Sequence, residues 1–479
     1  MIGGVALTVA RRVEDARSPA VLEDFRREVL AAPVAWHVES DATADAVALA
    51  EAISAWARDA GHVVLDPPAA AVEIPELWCP AAHIRVAAPV EPPPARPTTR
   101  PASAVAVSIA VGPGASMARP GWDEVPGLSD AAGLRDVPRL GAAVADEARR
   151  RALARILRER DAPPAPQCAI SVVVCTFRRP AALAAVLASL AAQTLPLDAY
   201  EVVVVNNDPA DVTTTTTVSE LRDRLFGDRP HRLRLVACPF RGLSFARNVG
   251  IGAASGGVVS FVDDDAVARP DWLARIRDTF AARPDAGVVG GRVTLELPEP
   301  RPRWAKPDWG RYWSECATSL TATTVAEHWW DYPFGANWSA RRASLVAIGG
   351  FRTRYGRSGS DAGGGEEIVA AALVARLGQT IVVDPAAEVL HRPDASRFTL
   401  GHVWRRIQAA KREEHAQERD GYLPRAMTPA TILRSIATHV RRATMSRHPP
   451  HARLEQLMHA IAEARLLPTL RREAKASRP

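Results

Sequence analysis

Three consecutive carboxylates, Asp263, Asp264 and Asp265, close the apolar run GGVVSFV at 256–262. Such a run reads as a buried strand, which places the acids at a strand's carboxyl end. Carboxylates crowded there repel one another, and a cation is their simplest partner. Oxygen ligands suit a hard divalent ion, Mn2+ or Mg2+. A metal held by one or two carboxylates keeps positions open that a diphosphate can fill. Taken alone, the tripeptide reads equally well as a solvated acidic loop.

The elements around it shift that balance. AISVVVCTF (169–177), YEVVVVNND (200–208), HRLRLVAC (231–238) and GGVVSFVDDD (256–265) are strand-like runs. AALAAVLASLAAQ (181–193) is a helix with Leu183, Val186, Leu187 and Leu190 on one face. Continuous apolar strands alternating with helices predict an α/β domain, a mostly parallel sheet with helices on both faces. Ligands of such sheets bind outside the carboxyl ends of the strands. Thr176-Phe177-Arg178, Asn206-Asn207-Asp208 and Asp263-Asp264-Asp265 all fall on that rim.

The chain has 479 residues, 47% hydrophobic and 24% charged, enough for two or three domains. Its net charge of +6, from 60 Lys+Arg against 54 Asp+Glu, does not argue for a nucleic-acid partner. Five dispersed cysteines read as free thiols in a reducing compartment. There is no apolar run of bilayer length, and the Arg pair near the N-terminus follows the apolar patch. The expected location is cytoplasmic. Residues 41–62 predict a helix capped by Asp41 and stopped at Gly61, and 143–160 a charged helix. A Pro-rich linker spans 88–103. The expected division is an N-terminal α/β accessory region over 1–165, a catalytic domain over 166–400 and a basic helical extension over 401–479.

Several segments, in order, resemble the family 2 glycosyltransferases, which have the GT-A fold. SVVVCTFRRPAALAAVLASLAAQT (171–194), EVVVVNNDPAD (201–211), RGLSFARNVGIGAASGGVVSFVDDDAVARPDWL (241–273), GANWSARRASLVAIGGFRTRYG (335–356) and GGEEIVAAALVARLGQTIVVDPAAEVLHR (364–392) carry the likeness. It covers roughly 169–400. The resemblance implies transfer of a hexosyl group from a nucleotide-diphosphate sugar, with inversion and a divalent metal. Asp265 is then a metal ligand, Asp263 serves metal or ribose, Asp264 shapes the turn, and His391 takes the third metal position. Thr176, Phe177 and Arg178 match the turn that contacts the nucleotide. An acid usual in the second strand's tail is here Asn206-Asn207-Asp208, so either Asn206 or Asp208 takes its role. Arg247-Asn248 matches the family's ARN, with Arg247 pairing the diphosphate or the acidic rim and Asn248 binding or packing.

Inversion needs a base to take the acceptor proton. Glu366-Glu367 lies between the glycine-rich stretch 358–365 and a helix-like run, where acids also serve as helix-dipole partners. The family pattern points to the second acid, Glu367; Glu366 stays open, and Asp361 is a third candidate. Asn337 and Trp338, inside a family segment, are the expected acceptor platform. The other aromatics between Trp304 and Phe334 read as core packing, with sugar stacking as the alternative. Acceptors that fit are a carbohydrate, a lipid-linked sugar or a small molecule. The basic C-terminal helices either pack on the catalytic domain with their Arg in water or touch an anionic membrane at its inner face. Two other readings are a catalytically degenerate sugar-nucleotide-binding scaffold, and a sugar-phosphate nucleotidyltransferase, which lacks its glycine-rich phosphate loop here.

Overall fold

The computed structural model describes residues 26–31, 35–40, 44–60, 63–64, 81–87, 106–110, 137–162, 165–227, 229–297, 304, 307–357, 363–424, 427–445 and 448–476. A four-stranded sheet in the N-terminal part has the order β2-β1-β3-β4. Its strands are β1 (Ala35–Ser40), β2 (Val63–Val64), β3 (Ala81–Ala87) and β4 (Ala106–Ala110). Helices α1 (Ala44–Asp59) and α2 (Val137–Asp161) accompany it. The expected caps of α1, Asp41 and Gly61, lie outside the described residues. Helix α2 begins six residues before the predicted start. It runs through Gly141, where a Cβ would lie 2.3 Å from the Trp56 ring, so only glycine lets α1 pack there.

The second sheet has nine strands, ordered β11-β13-β10-β12-β8-β5-β6-β7 with β9 paired to β13. The first four in sequence are β5 (Cys168–Thr176), β6 (Tyr200–Asn206), β7 (Leu233–Ala237) and β8 (Gly256–Val262), all mutually parallel. The other half is mixed. It holds β9 (Ala266–Ala268), β10 (Ala286–Leu295), β11 (Thr324–Val325), β12 (Asn337–Arg341) and β13 (Thr380–His391). There β12 runs antiparallel between β8 and β10, while β10 and β13 are parallel.

Successive strand residues alternate between two cores. Ile170, Val172, Val174, Val202 and Val204 face α3 (Pro180–Ala191), α4 (Val212–Phe226) and α6 (Trp272–Ala282). Val173, Val203 and Val205 face α5 (Leu243–Ala253), α7 (Arg342–Ile348) and α8 (Glu366–Arg376). Helices thus cover both faces, which is why these strands are apolar throughout and why the α/β expectation holds. Arg342 of α7 pairs with Glu159 of α2, tying the N-terminal part to this sheet.

After β13 come α9 (Leu400–Arg419), α10 (Pro429–Thr444), α11 (Pro450–Ala464) and α12 (Leu467–Ala476). Val403 and Ile407 of α9 and Ala462 of α11 pack with Trp309, Tyr312, Trp313 and Phe398. Trp309, Tyr312 and Trp313 are therefore core, whereas Trp330 is exposed and Trp329 and Phe334 line a cavity. Helix α10 buries Ile432 and leaves Leu433 and Val440 exposed. Among the described residues no helix is long and apolar enough to cross a membrane, and all four described cysteines are free.

Candidate active site

The strand ends bring the acids together. Strand β8 stops at Val262, and the turn that follows pairs with the end of β13: the Arg392 N–H donates to the Asp265 carbonyl at 2.7 Å. That contact carries His391 to the aspartates from 126 residues away. Its Nε2 lies 3.1 Å from Asp265 Oδ1, and its Nδ1 lies 2.7 Å from the Trp313 carbonyl. Burial disfavours the charged imidazole, but the Asp265 hydrogen bond and charge outweigh that and raise its pKa. Asp265 titrates below the usual carboxylate range: burial pushes up, and His391, Arg179 and Arg397 more than reverse it. Ligand atoms of Asp263, Asp265 and His391 all lie within 4.8 Å of one another. Asp265 Oδ2 is buried without a hydrogen bond, although Arg179 Nη1 lies 2.9 Å away. Two carboxylates and an imidazole, anchored through its other nitrogen, are a donor set that fits Mn2+ or Mg2+.

Asp264 does more than shape the turn. It accepts from Thr176 Oγ1 at 2.8 Å and Arg179 Nη1 at 2.6 Å. Burial, with the Asp265 and Asp263 charges, pushes its carboxyl up to about 6 against the pull of Arg179 and Thr176. These groups line a cavity of about 250 Å³ with Phe177, Asn207, Arg241, Arg357 and Arg397. The guanidiniums of Arg178 and Arg241 lie over the Phe177 ring, at 5.3 and 5.2 Å from its centroid. Sequence reasoning missed Arg179, Arg241, Arg357 and Arg397. The signal for Arg179 was present in the FRRP turn; Arg397 had none, since only the fold returns it to this rim.

A second cavity, of about 300 Å³, shares Leu243, Asp263 and Arg357 with the first. Glu366 and Glu367 begin α8 on its wall, after Gly365 at φ +79°. The two acids differ in what they touch. Glu366 is buried and accepts from Arg247 Nη1 at 2.6 Å. Its carboxyl is raised by burial and by the neighbouring Glu367. Glu367 is half-buried, and the Oε2 of each acid has no hydrogen-bond partner. Arg247 Nη2 also lies 3.8 Å from Asp263 Oδ1, so this buried guanidinium links the two acidic groups. It pairs with the acidic rim, one of the two expected roles. Asp361 lies outside the described residues.

Five expected site residues line neither cavity, and Asn248 takes its packing alternative. Trp338 is 1% exposed, packed on Phe261 and Phe351 with ring centroids 5.9 and 5.5 Å away, and offers no face to a sugar. Asn337 is as buried, accepting from Trp272 Nε1 at 2.9 Å and donating to the carbonyls of Arg292 and Ala387. It joins α6, β10 and β13. Asn248 exchanges both amide ends with Phe351 at 2.8 Å, which makes it a packing residue. Asn206 spends its amide on its own turn, accepting from the Asp208 N–H and donating to the Asp211 carbonyl. Arg178 and Asp208 pair with each other outside the lining of the first cavity. Asn207 does line that cavity, but its amide already bonds Cys238, Phe240 and Gly242.

The burial of Trp338 carries a prediction. Trp338→Ala should cost about 3–5 kcal/mol of stability by opening a cavity between two phenyl rings. Denaturant unfolding measures it. A loss below about 1 kcal/mol, typical of a surface change, would contradict the packing account.

The family described as Glycosyl transferase family 2 matches residues 171–346. The glucosyl-dolichyl phosphate glucuronosyltransferase of Haloferax volcanii is 29% identical over 47% of this chain and 69% of its own length. The succinoglycan biosynthesis protein ExoM of Rhizobium meliloti is 35% identical over 29% of this chain and 42% of its own. Among solved structures, the mannosyltransferase PcManGT of Pyrobaculum calidifontis, in complex with GDP-Man and Mn2+, aligns at TM-score 0.38 and 20% identity. That alignment covers 66% of this chain and 77% of that one, a likeness too distant to carry an argument. Glu366, Glu367 and His391 lie beyond the matched segment, on elements that return to the same rim. With the carboxyl-end aspartates at its centre, the segment 171–346 is similar to glycosyl transferase family 2.

Proposed function

We propose that this chain moves a hexosyl group from a nucleoside diphosphate sugar to an acceptor hydroxyl with inversion, and that Glu367 is the base. One observation carries the reading: two cavities meet at Asp263, one lined by Asp263 and Asp265, which cluster with His391, the other lined by Glu367. The acceptor oxygen attacks the anomeric carbon while its proton passes to Glu367. The bond from that carbon to the diphosphate oxygen breaks, and the nucleoside diphosphate leaves carrying the negative charge. Arg179, Arg357 and Arg397 line the cavity where that charge develops. A Mn2+ or Mg2+ ion held by Asp263, Asp265 and His391 would neutralise the same charge when bound. Glu366 is buried with its Oε1 held by Arg247, which favours the less buried Glu367 as the acid that takes the proton.

Catalysis is assigned to residues 166–400, with 1–165 as an accessory region. The name of the Haloferax relative suggests a lipid-linked acceptor here. Peripheral membrane contact would then fall to the α10–α11 hairpin, whose Leu433, Val440, Leu457 and Ile461 are 43–47% exposed.

The test is turnover with UDP-, GDP- and dTDP-sugars, with each metal and with EDTA, following nucleoside diphosphate release and the product's anomeric configuration by NMR. The expected result is metal-dependent release from one nucleotide class with inverted product. A folded sample that turns over none of them would favour the degenerate binding scaffold.

A further inference from the structure

The short glycine segment leading into Glu366 and Glu367 is held by a helix outside the family-matched residues. Gln417 of α9 donates from Nε2 to the Gly365 carbonyl at 3.2 Å. The Glu413 carboxyl packs on the same segment: a Cβ on Gly364 would lie 3.8 Å from its Oε2. The approach is close: a Cβ on Gly365 would lie 2.5 Å from Gln417 Nε2, and one on Gly363 would lie 3.3 Å from Glu413 Oε1. Gly365 needs to be glycine for its φ of +79°. Glu413 and Gln417 stand one turn apart on α9, so both reach the same segment. Glu413 also lines the cavity that holds Glu367.

We propose that Glu413 is a positioning residue for the transfer reaction: packed against Gly363 and Gly364, it fixes the start of α8, and so aims the Glu367 carboxylate at the acceptor. The C-terminal helix α9 is then part of the active site and not an appendage to it. The inference rests on reading Glu367 as the base. Burial pushes the Glu413 carboxyl up to about 8, with Glu366 and Glu367 adding to the rise and Arg406 opposing it. At neutral pH the group is therefore mostly the neutral acid. A glutamine at the same place keeps the shape and the charge state.

The experiment compares Glu413→Gln, Glu413→Ala and Glu367→Gln in the full chain, with kcat, donor KM and nucleoside diphosphate affinity as readouts. Glu413→Gln should keep kcat within about threefold, while Glu413→Ala should lower it about 10–100-fold, the scale of a misplaced catalytic group. Donor KM and nucleotide affinity should hold within about twofold for both, which also reports that they are folded. If Glu413→Ala does not fold, Glu413→Asp, a methylene short of Gly364, carries the same expected loss of kcat. Wild-type kcat in the alanine or aspartate variant would overturn the inference. So would a Glu413→Gln variant as inactive as Glu367→Gln, since Glu413 would then be taking the proton itself. An active Glu367→Gln would sink the base reading alone; an inactive one beside an active Glu413→Ala would sink only the positioning role.

Discussion

Glu367→Gln should leave nucleoside diphosphate binding within about twofold of wild type and lower sugar transfer by about 10²–10⁴-fold, the range that a positioned base contributes. The substitution keeps the side chain's length and shape and removes only its capacity to take a proton. Glu366 is a poor substitute, because it is buried and its Oε1 already accepts from Arg247. Moving Glu366 into the role would break that pair and leave the Arg247 guanidinium buried beside Asp263 alone. Steady-state kinetics with calorimetric nucleotide binding separates the two effects. Wild-type turnover in Glu367→Gln would move the base to Glu366 or Asp361.

Asp265→Ala should act on the other cavity. The substitution removes a ligand from the Asp263, Asp265 and His391 set, and it also strips the partner from the His391 Nε2. Metal ions at such sites supply several kcal/mol of charge stabilisation, and each ~1.4 kcal/mol is tenfold in rate, so turnover should fall about 10³-fold or more. Nucleotide binding should lose its dependence on Mn2+ and become the same with EDTA. The scaffold should hold, because Arg179 keeps its 2.6 Å contact with Asp264. A variant that still needs metal for binding would remove Asp265 from the ligand set.

What could be read from the chain depended on whether the signal was local. The strands β5, β6 and β8 announce themselves as unbroken β-branched runs because both of their faces are covered. The aspartate triplet stands at a strand end and reads directly as rim chemistry. His391 could be attached to that rim only through resemblance, since the contact joining it to Asp265 spans 126 residues. Arg179 and Arg397 are two among 60 Lys and Arg, and nothing local separates a cavity arginine from a surface one. Asn337 and Trp338 erred in the opposite direction: their place in a family segment was visible, but their burial between sheet and helix was not. Glu413 and Gln417 spell an ordinary polar helix face until the fold lays α9 against Gly364 and Gly365.

The central claim is that one rim holds both a metal-type nucleotide site and a separate base. The most direct test is calorimetric binding of UDP, GDP and dTDP, each with Mn2+ and with EDTA, to the wild type, Asp265→Ala and Glu367→Gln. The account predicts that one nucleotide binds wild type and Glu367→Gln in the presence of metal alone, and that Asp265→Ala shows no metal-dependent binding. Binding that is equally tight in EDTA, or that is lost in Glu367→Gln, would contradict it.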